Sequence, residues 1–263
     1  MTSSLCVGTL LALAQVVNGW ATATESTNTA PSTDMLVFVG AGRIDGWDTR
    51  FDLANPSPEQ LGLGIGVTPE FPGGCPPLTG CTGYEFVVLP PFGSASTVTP
   101  SGEGLTAVYI RTESETLPVV SAYNQSPADP AQAASVPGYR LSTLLAINSN
   151  ALTFPGARAG ERGRSNLVLT NLLTLDPAPP RGGDVTVLIE AYSSEGELLG
   201  SMSQTLRVGK TVMVSRVFDQ LGGTSGSAGQ IVVTRTAGDR SFWGVLYNFD
   251  SSGALLAAVG ANP

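Results

Sequence analysis

Three acids, Asp45, Asp48 and Asp52, fall in and just after a glycine-rich stretch that also carries Trp47. Carboxylates spaced along a loop can gather oxygen ligands for calcium. An aromatic ring beside acids can stack on a sugar while the acids bond its hydroxyls. The same spacing later in the chain places Glu161, Arg164 and Val168 where the three acids stand, and no Asp-x-Asp-x-Asp-Gly loop occurs. The expectation is therefore no metal and no cofactor, with Asp45, Trp47 and Asp48 as the candidate ligand loop. Arg158, Arg162 and Arg164 form a small basic cluster that could meet an acidic partner, the Asp45–Asp52 loop included. Cys75 and Cys81 stand in Pro-Gly-Gly-Cys-Pro-Pro-Leu-Thr-Gly-Cys. In an exported chain such a loop favours a local disulfide, worth about 2 kcal/mol on a chain-entropy basis.

The chemistry open to the chain is narrowed by composition. There is no histidine. That removes Ser–His–Asp and Cys–His catalysis and every His-ligated metal site. A Ser–Lys dyad would have to use Lys210, the one lysine, and residues 206–209 read Leu-Arg-Val-Gly. A carboxylate-pair hydrolase would need two acids facing each other across a cleft, and no pair stands out among the 21 acids. The expectation is a chain that is not an enzyme. Net charge is −8, and the basic residues are scattered. No basic stripe exists for a phosphate backbone or an anionic membrane surface.

Leu5 to Val17 is an apolar run, followed by Ala21-Thr22-Ala23, and the first charge is Glu25. This reads as a signal peptide over 1–23, cut after Ala23, too short to span a membrane. Residues 24–34 read as a flexible mature N-terminus.

The elements that must position these residues follow a repeat. Leu36-Val37-Phe38-Val39-Gly40-Ala41 aligns with Leu152-Thr153-Phe154-Pro155-Gly156-Ala157 at an offset of 116. Phe51, Leu53 and Asn55 fall on Leu167, Leu169 and Asn171 at the same offset. Arg111-Thr112 matches Arg235-Thr236 and Tyr123-Asn124 matches Tyr247-Asn248, both at 124. The difference of eight residues places a net insertion at 217–224, which reads as one helical turn ended by glycine. This pattern predicts a tandem duplication, with copies at 35–147 and 151–263. Phe38 and Phe154, Asn55 and Asn171, and Tyr123 and Tyr247 are the repeat-equivalent structural residues. Each asparagine is expected to bond its own turn, and each tyrosine to tie down a corner.

Apolar residues alternate with a period of two, as in Leu61, Leu63, Ile65, Val67 and in Val185, Val187, Ile189, Ala191. Turn residues recur at about eight- to twelve-residue intervals. Strands are predicted at 35–39, 49–55, 61–67, 84–89, 94–99, 105–112 and 117–124, with 139–147 a further strand or linker. In the second copy they fall at 152–154, 165–172, 184–193, 198–206, 211–217, 228–236, 241–249 and 254–259. The fold class expected is all-β, two tandem antiparallel β-sandwiches after a signal peptide. Trp243, inside Phe-Trp-Gly-Val-Leu-Tyr, is assigned to the core.

The run Phe38-Val39-Gly40-Ala41-Gly42-Arg43, then Thr49-Arg50-Phe51-Asp52-Leu53-Ala54-Asn55-Pro56, resembles the opening of modules found in secreted bacterial proteins, and Arg-Thr followed by a strand ending in Tyr-Asn fits their close. The resemblance extends over nearly all of 35–263. It implies immunoglobulin-like sandwiches in tandem and attaches no catalytic residue to the pattern. The resulting expectation is a non-catalytic binding or structural protein, secreted or periplasmic. Its partner would be a cell-surface protein or a polysaccharide, with no nucleic acid and no membrane span in the mature chain. The alternatives are a carbohydrate-binding protein using the Trp47 loop and, behind it, a histidine-free carboxylate hydrolase.

Overall fold

The computed structural model describes residues 34–263 except 45–46, 68–83, 100–103, 113, 127–132, 162 and 173–182. Among the described residues, nine strands form in the first half. They are β1 (Met35–Ile44), β2 (Trp47–Ala54), β3 (Leu61–Val67), β4 (Tyr84–Leu89), β5 (Ser94–Val98), β6 (Gly104–Thr112), β7 (Val119–Gln125), β8 (Ala133–Val136) and β9 (Gly138–Arg140). Helix α1 (Leu141–Ile147) leads into the second half. There follow β10 (Ala151–Arg158), β11 (Gly163–Asn171), β12 (Val185–Ser193), β13 (Leu198–Leu206) and β14 (Thr211–Val214). Helix α2 (Val217–Gln220), β15 (Ala228–Ala237), β16 (Phe242–Asp250) and β17 (Leu255–Gly260) complete the chain.

Alternation makes these strands. In β2, Thr49, Phe51 and Leu53 are buried while Arg50, Asp52 and Ala54 are half-exposed. In β12, Val185, Val187, Ile189 and Ala191 are buried between half-exposed neighbours. Successive side chains of a strand point to opposite faces, so each pattern commits one face to the core. All pairing is antiparallel.

In the second half, two four-stranded sheets run in the orders β10-β15-β12-β13 and β14-β11-β16-β17. In the first half the path is β4-β3-β6-β1-β2-β7-β8, with β5 paired to β2 and β9 to β1. Among the described residues, its two sides join through Ile44 opposite Trp47. Divided there, it reads β1-β6-β3-β4 and β5-β2-β7-β8, the second-half orders with every label lower by nine. The pairing of β9 on β1, Tyr139 opposite Val37, has its counterpart in a single bridge between Asn262 and Thr153.

One position recurs with its geometry. Strand β1 slips register between Val39 and Ala41, and β10 between Pro155 and Ala157. The extra residues are Gly40 and Gly156, at φ +79° and +76°. Glycine adopts this left-handed conformation without steric penalty, which accounts for the repeated Gly-Ala.

Two apolar clusters form. One is local to the first half and gathers Phe38, Phe51, Leu63, Ile65, Val108 and Ile110. The Phe38 and Phe51 rings meet edge to face at 5.3 Å. The other contains Val37, Val39, Ala107 and Tyr109 of the first half together with Phe154, Leu167, Trp243 and Leu246 of the second. Strands β1 and β6 are therefore buried on both faces. That is why Leu-Val-Phe-Val and Ala-Val-Tyr-Ile run without a polar break. All described residues fall within one compact unit, Pro31–Pro263.

The structure departs from the sequence reading at 139–147. A three-residue strand is followed there by helix α1, not by one continuous strand or linker. Leu141 and Leu144 are its buried pair, a spacing of three residues that gives one helical face. Its first turn is held from afar: Asp34 accepts from the Ser142 amide at 3.1 Å and the Ser142 hydroxyl at 2.6 Å. Asn148, at φ 35°, ends it. Strand β8 is additional to the strands the sequence predicts, and β10 runs on through Pro155-Gly156 because the bulge absorbs them. The insertion at 217–224 does form one helical turn, α2, followed by Gly222 at φ +94°. No described helix is long and apolar enough to cross a membrane.

Candidate functional site

The polar residues that recur at the ends of β2, β7, β11 and β16 form the same device twice. Thr49 is fully buried; its hydroxyl accepts from the Gly42 amide at 2.8 Å and donates to Asn124 Oδ1 at 2.5 Å. Ser165 is fully buried; its hydroxyl accepts from the Arg158 amide at 2.8 Å and donates to Asn248 Oδ1 at 2.5 Å. Each triad ties a bulged strand to two others, β1 to β2 and β7, and β10 to β11 and β16. Buried hydroxyls and amides need such partners, because an unpaired one costs about 1–3 kcal/mol.

The bulge carbonyls are where the halves differ. Asn248 Nδ2 donates to the Gly156 carbonyl at 3.1 Å, inside its own half. The Gly40 carbonyl instead accepts from the Tyr247 hydroxyl at 2.6 Å, a bond that crosses between the halves. Burial pushes the Tyr247 phenol far above its ordinary range, with Asn124 opposing the shift. The seam continues through Tyr139 and Trp243, whose rings meet edge to face at 5.2 Å.

Beside this bond the seam leaves a cavity of ≈ 170 Å³. Trp47, Leu105 and Asn124 line it from the first half, and Arg164, Asn166, Met213, Tyr247, Phe249, Gly253 and Leu255 from the second. The Arg164 guanidinium lies 4.7 Å above the Phe249 ring, a cation–π contact. Asn166 is nine-tenths buried; its Oδ1 accepts from the Arg216 amide at 2.8 Å, and its Nδ2 faces the Met213 sulfur at 4.0 Å. A junction between two packed halves is a preferred place for a ligand site.

No family model matches the chain, and no curated protein matches it. Among solved structures, Bacteroides uniformis beta-glucuronidase 2 with covalently bound cyclophellitol-6-carboxylate aziridine is similar over 87% of this chain and 26% of that one. The identity is 8% and the TM-score 0.17, so this chain spans about a quarter of that protein and the likeness carries neither fold nor function across.

The residues singled out in the sequence fall in separate places. Trp47 and Asp48 are half-buried, and Asp45 lies outside the described residues. Asp48 pairs with Arg43 at 2.5 Å. Asp52 is engaged by Ser96 at 2.5 Å and Tyr123 at 3.0 Å. The Ser96 hydroxyl, more than Tyr123 or Arg50, holds its carboxyl below the usual range. Among the described residues, no group of three or more His, Cys, Asp or Glu could hold a metal. Arg164 reaches Phe249 rather than the acidic loop, Arg158 is exposed, and Arg162 lies outside the described residues, as do Cys75 and Cys81.

Phe38 and Phe154 are buried. Asn55 Nδ2 donates to the carbonyl of Pro90 at 3.0 Å, and Asn171 Nδ2 to that of Leu206 at 3.1 Å. Asn55 also accepts from the Ser57 amide at 2.9 Å, the turn bond expected of it. Tyr123 and Tyr247, in contrast, do not share a role, since Tyr123 reaches Asp52 on the paired strand β2 and Tyr247 reaches the other half. The residues that do share one are Asn124 and Asn248, the second member of the same repeated Tyr-Asn pair.

Proposed function

We propose that the chain is an exported protein, secreted or periplasmic, that acts at or outside the cell surface by binding or scaffolding and not by catalysis. It is built of two tandem immunoglobulin-like sandwich modules, one per half. The observation that carries this reading is the repeated polar hardware: Thr49–Asn124 and Ser165–Asn248 hold strands together in both halves, and Asn55 and Asn171 staple equivalent strand ends. A residue that recurs in both halves to bond main chain serves architecture. The doubled strand order and the doubled glycine bulge support the tandem assignment. The partner is a surface protein or a polysaccharide met by loops or exposed sheet.

The full chain, expressed in a Gram-negative host, tests the reading by fractionation, intact mass and activity together. The expected result is a mature chain beginning at Thr24, found in periplasm or medium and inert on a panel of chromogenic glycosides and esters. An uncut chain retained in the cytoplasm contradicts export, and turnover of any substrate contradicts a non-catalytic role.

A further inference from the structure

The seam cavity has a composition that strand packing does not require. Its walls are the side chains of Trp47, Leu105, Met213, Tyr247, Phe249 and Leu255, with a guanidinium at one side. Its volume is close to the ~150 Å³ of an apolar cavity that accepts one benzene ring. Three side-chain oxygens of the lining already have partners. The Tyr247 hydroxyl is committed to Gly40, Asn124 Oδ1 to Thr49 and Asn166 Oδ1 to Arg216. Asn166 Nδ2 meets only a sulfur, a weak acceptor. Arg164 forms no ion pair among the described residues. It also borders a small polar hollow with Glu161, Arg216 and Asp250. Asp250 Oδ1 is occupied there by the Ser252 hydroxyl and the Ser252 and Ala254 amides, and Arg216 pairs with Asp219 at 3.6 Å. Gly253 stands next to Arg164, where even an added Cβ would lie 3.9 Å from Nη1, so no side chain covers that nitrogen from Gly253.

We propose that this cavity binds a small aromatic carboxylate, its ring between the Trp47 and Phe249 walls and its carboxylate on the Arg164 guanidinium. The guanidinium fork matches a carboxylate in plane and charge. A sugar would bring hydroxyls to a lining whose Tyr247, Asn124 and Asn166 oxygens are already engaged, and each hydroxyl left without an acceptor would lose its bond to water. The inference goes beyond the envelope reading and stands without it.

Isothermal titration of the full chain with benzoate tests it. The expected result is saturable binding of one benzoate per chain. Neutral benzamide and the Arg164→Gln variant should each bind about tenfold or more weakly, as loss of a charge-assisted pair predicts. Arg164→Lys, which keeps the charge without the planar fork, should fall between. Arg164 is half-exposed, so both variants should melt as the parent does, and their melting curves separate lost binding from lost fold. Absence of saturable benzoate binding overturns the proposal, as does unchanged benzoate binding by a folded Arg164→Gln variant. Saturable binding of galacturonate without benzoate overturns the aromatic assignment in favour of a sugar acid.

Discussion

Gly40→Ala should destabilise the protein by about 3 kcal/mol or more, whereas Gly156→Ala should cost only the backbone strain of about 1–2 kcal/mol. The two glycines occupy the same bulge at nearly the same φ. An alanine in the left-handed region costs about 1–2 kcal/mol at either place. Their surroundings then separate them. A Cβ at Gly40 would stand 2.7 Å from the Tyr247 hydroxyl oxygen and 3.0 Å from its ring. At Gly156 the nearest atom, Asn248 Nδ2, is 4.0 Å away. Tyr247 is 3% exposed, and turning its ring aside into the adjoining cavity would break its bond to the Gly40 carbonyl and leave two buried polar groups unpaired. Chemical denaturation of the two variants side by side reads the difference directly. Equal losses would mean that the Tyr247–Gly40 contact contributes nothing beyond backbone strain.

Trp243→Ala should cost about 3–5 kcal/mol, the range for emptying a large buried aromatic site. Trp243 is 2% exposed on β16, and its ring meets Tyr139 of the first half edge to face. Its neighbour Gly244 has Leu169, the Val168 carbonyl and Phe154 within 2.7–2.9 Å of where a Cβ would sit, so the strand cannot shift inward to fill the void. Because the lost contact belongs to the shared core, the loss should lower the melting of both halves together. Trp243→Phe keeps most of the ring and should lose much less. A melt in which only part of the signal moves would show that Trp243 supports the second half alone.

Period-two alternation makes the strands legible in the sequence; the offset of 116 pairs Phe38 with Phe154 and Asn55 with Asn171, and the offset of 124 pairs Asn124 with Asn248. The insertion turn at 217–224 was legible for the same reason, since a change of offset marks its place. What could not be read was the second burial of β1 and β6. An unbroken apolar run such as Leu36–Val39 fits a buried strand of any kind, and nothing local says which neighbour covers its outer face. Helix α1 is seven residues long, too short for a 3.6-residue period to declare itself, and its amide partner Asp34 is 108 residues distant. Tyr247 and Gly40 are 207 residues apart, so their bond has no sequence signature. The cavity escaped for a related reason. In the chain Trp47 stands with Asp45 and Asp48, whereas the cavity it lines is shared with Arg164, Asn166 and Phe249.

The central claim is that two repeat-related halves are welded into one scaffold by a shared core, the Tyr247–Gly40 bond and the Tyr139–Trp243 contact. Scanning calorimetry of the full chain tests it most directly. A single transition, with calorimetric and van't Hoff enthalpies equal, is the expected result. Two resolved transitions, or a calorimetric enthalpy about twice the van't Hoff value, would show that the halves unfold independently and would contradict the account.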